Sequence, residues 1–156
     1  DLYYTRFASN DSSVVFTDGS LKILNAHIAS KNVENKIPIL KWGEDFELTL
    51  KLELFEDINE TFKIDVIFFD KEQRPIAAFK KDANIDFSSI VQNSKLKVTF
   101  KHKKLQFSQG IYSINISIEN QYGPKYRVNS ICEFQVTHEQ HVWQPFMLDS
   151  KVLILD

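Results

Sequence analysis

The chain has 156 residues, 43% of them hydrophobic and 26% charged, which allows one globular domain with a real core. Its 19 basic residues against 21 acidic ones leave a net charge of −2, so no global field draws in nucleic acid or an anionic membrane surface. The single Cys132 excludes an internal disulfide framework and fits a reducing compartment, and no apolar run approaches the roughly 18 residues of a membrane span. Thirteen Phe against four Gly and one Met predict a core of aromatic side chains carried on strands. The opening DLYYTRFASNDSS has neither Met nor the charged-then-apolar layout of a secretion signal, and the chain reads as a piece of a longer protein.

Residues 1–19 are expected to form a linker or N-terminal arm, because ASNDSSVVFTDGS is rich in Ser, Asp and Asn. From there the apolar period is two almost everywhere. Leu21–Ile28 is a first strand with imperfect alternation. FELTLKLELF alternates cleanly, with Phe46, Leu48, Leu50, Leu52 and Leu54 inward and Glu47, Thr49, Lys51 and Glu53 outward. FKIDVIFFD points Phe62, Ile64, Val66 and Phe68 inward, and RPIAAF after DKEQ completes a hairpin. KLKVTFKH places Leu96, Val98 and Phe100 inside. GIYSINISIEN sends Tyr112, Ile114, Ile116 and Ile118 to the core and Ser113, Asn115, Ser117 and Glu119 to the other face. YRVNSICEFQV is read with Val128, Ser130, Cys132, Phe134 and Val136 on the inner face. KVLILD is expected as a last strand beyond a loop containing Pro145. DFSSIVQN alone has a briefly helical pattern, with Asp86 or Ser88 as N-cap. These elements predict an all-β fold, an immunoglobulin-like antiparallel β-sandwich over residues 20–140, followed by a C-terminal extension over 141–156.

Most chemical constellations in the chain have an ordinary explanation. His138 and His141 are three apart, but they lie between strands with one thiol in the whole chain, so solvated loop histidines are expected and no metal or cofactor. Asp65, Asp70 and Glu119 could converge as glycosidase carboxylates, yet surface solvation and turn formation account for them. No nucleophile elbow, Walker loop or dinucleotide glycine fingerprint occurs, so no enzyme activity is expected. The three N-x-[ST] triplets, at Asn10, Asn59 and Asn115, are read as chance.

The outward face of the later strands is different. In an immunoglobulin-type sandwich the third strand pairs with the sixth and the sixth with the seventh. That would lay Asp65, Ile67 and Phe69 beside Ser113, Asn115, Ser117 and Glu119, and these beside Arg127, Asn129, Ile131, Glu133 and Gln135. Apolar side chains among short amides, hydroxyls, an Arg and carboxylates suit a sugar, whose C–H faces lie on rings while its hydroxyls need fixed donors and acceptors. The predicted carbohydrate-binding set is Asp65, Ile67, Phe69, Ser113, Asn115, Ser117, Arg127, Asn129 and Glu133. The same surface would serve a protein interface if Ile67 and Phe69 were covered by another strand or subunit.

RF, SLKILNAHI, WGEDFELTLKLE, VIFFDKEQRPIAAF, LKVTF, LQFSQGIYSINISI and CEFQV follow one another in an order that resembles the C-terminal domain of Wzt-type subunits, over about residues 20–137. Those subunits are the ATP-binding components of ABC transporters that export O-antigen polysaccharide. The resemblance implies a non-catalytic β-sandwich that binds the polysaccharide, often by its terminal modification, with a separate N-terminal ATPase. It also implies a homodimer formed by exchange of a C-terminal strand, for which SKVLILD is the candidate. The full-length protein would associate with a membrane permease at the cytoplasmic side of the inner membrane. Binding residues in this family vary with the glycan, so none is carried over. The alternative is an immunoglobulin-like module for protein–protein contact or dimerisation.

Overall fold

Alternation of period two carries the chain into strands along nearly its whole length. The computed structural model describes residues 3–8, 13–56, 61–81, 85–86 and 94–156. In chain order the strands are β1 (Tyr3–Ala8), β2 (Val14–Thr17), β3 (Leu21–Ser30), β4 (Asn32–Glu34), β5 (Ile37–Lys41), β6 (Phe46–Leu54), β7 (Thr61–Phe69), β8 (Pro75–Ala78), β9 (Ile85–Asp86), β10 (Lys95–His102), β11 (Gly110–Asn120) and β12 (Gly123–Thr137). Among the described residues there is no α-helix. One sheet has the order β1-β3-β6-β10; the other runs β4-β5-β12-β11-β7-β8, with β2 on β12 and β9 on β7. The expected sandwich is therefore formed, and the expected neighbours β7, β11 and β12 lie side by side.

The core sits where the alternation puts it. Phe46, Leu48, Leu50, Leu52 and Leu54 of β6 are buried, and so are Phe62, Ile64, Val66 and Phe68 of β7. Phe46, Phe68, Phe107, Tyr112 and Phe134 form one aromatic cluster, with Phe46–Phe134 centroids at 5.3 Å and Phe68–Phe107 at 5.2 Å. Each fully buried side chain of this size contributes roughly 1.5–3 kcal/mol through removal of apolar area from water. Leu96, Val98 and Phe100 face the core from the edge strand β10 but are only half-buried. Cys132 is buried, and desolvation pushes its thiol far above the ordinary range, which leaves it unreactive.

Several local expectations change. The stretch expected as an arm supplies β1, which pairs antiparallel with β3, and β2, which pairs with β12. A hairpin in NVENKIPILK was not signalled, because its turn holds Asn35 and Lys36 at φ 51° and 65° without a glycine. Its second strand, β5, runs parallel to β12 and is the exception to an antiparallel sandwich. Asp86, a proposed N-cap, lies in β9, and the remainder of DFSSIVQN, residues 87–93 with Ser88, lies outside the described residues. KVLILD forms no strand with its own sheets; Val152 to Leu155 are exposed, Ile154 at 95%.

Candidate functional site

The register of β7, β11 and β12 brings together most of the predicted carbohydrate-binding set. Ser113 lies opposite Phe69 on one side and Glu133 on the other; Asn115 lies opposite Ile67, and Ser117 lies between Asp65 and Arg127. Asn129 is exposed nearby. The face is not the regular one that alternation implies. Between the pairs Ile114↔Cys132 and Ile116↔Val128, three residues of β12 stand opposite the single residue Asn115. This bulge reverses two expectations: Ser130, read as inward, is exposed, and Ile131, read as outward, is buried at 5% and joins the core. Ser130 adopts φ 49°, and its backbone N–H donates to Asn115 Oδ1 at 2.8 Å. Asn115 thus holds the bulge.

Other members of the set are also engaged. Lys81 Nζ lies 3.5 Å from Asp65 Oδ2 and 3.6 Å from Glu119 Oε1, an ammonium shared between two of the three carboxylates that a glycosidase reading would draw on. Ser113, expected on the open face, is 6% exposed, and its hydroxyl has no hydrogen-bond partner. Ile67 and Phe69 are half-buried, whereas Arg127 and Glu133 are open to solvent.

A concavity lies at the end of this sheet, at the start of β11. It is a groove of about 410 Å³, walled by the β7–β8 turn on one side and residues 141–145 on the other. The turn is built by Asp70, whose Oδ1 accepts from the Arg74 backbone N–H at 2.9 Å and whose Oδ2 accepts from Arg74 Nε at 2.8 Å. Desolvation would raise the Asp70 pKa, but these hydrogen bonds outweigh it and hold the carboxyl below its ordinary 3.8. The opposite wall docks through main-chain bonds. Ser108 N–H donates to Pro145 O and Met147 N–H to Gln106 O, both at 3.0 Å, and the Ser108 hydroxyl donates to Gln144 O. Trp42 Nε1 adds a bond of 2.7 Å to Met147 O, and the rings of Phe107 and Phe146 meet at 5.3 Å.

The floor is equally fixed. The Tyr112 hydroxyl donates to Ser108 O at 2.6 Å, and burial followed by the negative charge of Asp70 pushes its pKa up to about 12. His141 Nδ1 and Gln109 Oε1 lie 3.0 Å apart at the rim. Trp143 stands beside them, 84% exposed. A rigid polar groove with one free indole face can take the C–H face of a ring while amides, an imidazole and a guanidinium meet its hydroxyls. The sequence signal for this wall was a lone Trp in a polar loop.

His138 and His141 have separate partners: His138 Nδ1 accepts from the Gln140 N–H at 2.9 Å and its ring meets Trp42 edge-on at 5.5 Å. Among the described residues no group of three or more His, Cys, Asp or Glu could hold a metal ion, and no helix is long and apolar enough to cross a membrane.

Comparison with known families gives a match to the Wzt C-terminal domain over residues 12–145. Among solved structures, the crystal structure of the C-terminal domain of Wzt superposes with a TM-score of 0.74 at 16% identity, over 97% of this chain and 89% of that one. At that identity the likeness is one of fold. A β-glucosidase from Listeria innocua in complex with glucose gives a TM-score of 0.42 at 15% identity, over 76% of this chain but 16% of its own. The CARDB domain of a Pyrococcus furiosus protein gives 0.37 at 10% identity, over 83% of this chain and 100% of its own. Neither of these weaker likenesses carries an argument. No curated protein sequence matches.

Proposed function

Because the chain belongs to the Wzt C-terminal domain family, we propose that it is the non-catalytic domain that recognises an O-antigen polysaccharide for export by an ABC transporter. The observation that carries this reading is the groove with Trp143 at its rim, between the Asp70–Arg74 turn and residues 141–145. In the full-length protein a separate ATPase would energise export and a membrane permease would be the partner, and the domain would then work at the cytoplasmic face of the inner membrane. Among the nine predicted face residues, Arg127, Asn129 and Glu133 remain open for glycan contact along the same sheet, while Asn115 and Asp65 support it from beneath. Titration with the polysaccharide of the source organism should quench Trp143 fluorescence and shift amide resonances of residues 70–74, 108–112 and 141–145. Trp143→Ala should abolish binding without lowering the melting temperature. A glycan that shifts none of these three segments would sink the assignment.

The homodimer belongs to the same proposal. Val152, Leu153, Ile154 and Leu155 are apolar on both sides of an extended chain and lie exposed, a surface and backbone edge that expects cover. Exchange of this segment between two subunits is a low-cost route to a symmetric dimer. Light scattering should report a dimer for the whole chain and a monomer for one ending at Asp149; a monomeric whole chain would end the idea.

A further inference from the structure

The four-stranded sheet ends in β10, the longest of the strands that close either sheet's order: eight residues, against six in β1, three in β4 and four in β8. Its inward row, Leu96, Val98 and Phe100, is only half-buried, and Phe100 stacks on Phe79 at 5.9 Å where the edges of the two sheets meet. Its outward row carries an uncompensated charge. Lys95 and Lys101 lie opposite Glu53 and Glu47, but Lys97 lies opposite Lys51. No ion pair among the described residues involves either of these two lysines. Like charges directly opposite each other on a sheet are destabilising.

We propose that residues 149–156 of a second copy add to β10 as an antiparallel strand, with Asp156 opposite Lys97. This rests on the dimer reading above and adds to it the edge that receives the exchanged segment and the register. Pleat and charge select that register together. With Asp156 opposite Lys97, Leu155 falls opposite Val98 and Leu153 opposite Phe100, so two leucines cover the half-buried row. Asp149 then reaches Lys104, and both acids of the segment meet lysines. A slip by one residue would turn Asp156 onto the apolar row. A slip by two would set Lys151 over Phe100 or take Asp156 away from Lys97. In parallel pairing, Leu153 opposite Val98 would set Lys151 over Leu96. Within one chain Val152 to Leu155 stand exposed, and the outer edge of β10 is unpaired among the described residues. Two-fold exchange covers both at once.

The test uses the whole chain, light scattering over a dilution series and pairs of introduced cysteines, the native Cys132 being buried. Under mild oxidation Ile154→Cys with Thr99→Cys, or Leu155→Cys with Val98→Cys, should give a disulfide-linked dimer on a non-reducing gel. Neighbouring cross-strand pairs alternate between wide and narrow spacing, so one of the two pairs falls within disulfide reach. Lys97→Glu should weaken dimerisation about tenfold, the worth of two symmetric surface ion pairs turned to repulsion. Its fold should hold, because the new carboxylate faces Lys51. Adding Asp156→Lys should restore the dimer. A dimer that yields neither cross-link, or that links Ile154→Cys equally well to Val15→Cys on β2, overturns this edge while the dimer stands. Unchanged dimerisation of Lys97→Glu overturns the register. A disulfide closed within one chain overturns the second copy as occupant, and a monomer at every concentration overturns both the edge and the dimer.

Discussion

The outer faces of the two sheets follow different rules. On β6 and β10 the outward residues are ordinary for a wet sheet: Lys95 faces Glu53, Lys101 faces Glu47, Thr99 and Thr49 share a hydrogen bond of 2.9 Å, and Lys97 faces Lys51. On β11 the corresponding positions are Ser113, Asn115, Ser117 and Glu119. Asn115 is short enough to meet the bulged backbone at Ser130, Ser113 is buried, and Glu119 is drawn to Lys81 with Asp65. Small polar groups along a strand mark a face that other parts of the molecule approach closely.

Five substitutions would break or sharpen this contrast. The largest effect is expected at the bulge. Ile131→Ala should cost about 2–5 kcal/mol in urea denaturation, as any large-to-small change in a core does. Ser130→Gly should stay within about 1 kcal/mol of the parent, because glycine accepts its positive φ freely. If Ser130 proves the costlier site, the regular alternation was right and the bulge is wrong. A middle effect separates the sheets: Asn115→Ala should lose about 0.5–1.5 kcal/mol with its bond to Ser130 N–H, and Thr49→Ala on the other sheet about 0.5 kcal/mol or less. Equal losses would erase the distinction between the two faces.

The smallest effect concerns the turn that walls the groove. Asp70 is held below its ordinary pKa in the folded chain, so it binds its proton more weakly than in the unfolded chain. Its contribution is therefore present above the unfolded value of 3.8 and is lost as pH falls through the lower folded value. Asp70→Asn should flatten the fall in melting temperature on acidification through that window. An unchanged acid slope would show that the Arg74 bonds do not stabilise the folded state.

Legibility followed the range of the forces. The strands β3, β6, β7, β10 and β11 and their inward residues could be read from the chain, because the pleat alternates side chains locally and apolar burial selects one face. The adjacency of β7, β11 and β12 came with the sandwich topology. In β12 the reading held for Val128 and for Cys132, Phe134 and Val136, then failed at Ser130 and Ile131. The reason is that an amide fifteen residues away, on Asn115, captures one backbone N–H and makes two extra residues fit. Of the groove the chain offered one local sign, Trp143 in a polar loop, and not its walls. One of its walls, residues 141–145, is held in place through Ser108, whose main-chain and side-chain bonds to Gln144 and Pro145 exist only once the loop has docked. Sequence alone determined which side chains of the regular strands enter the core; where Trp143 stands, and that Ile131 rather than Ser130 is buried, was decided by contacts between segments far apart in the chain.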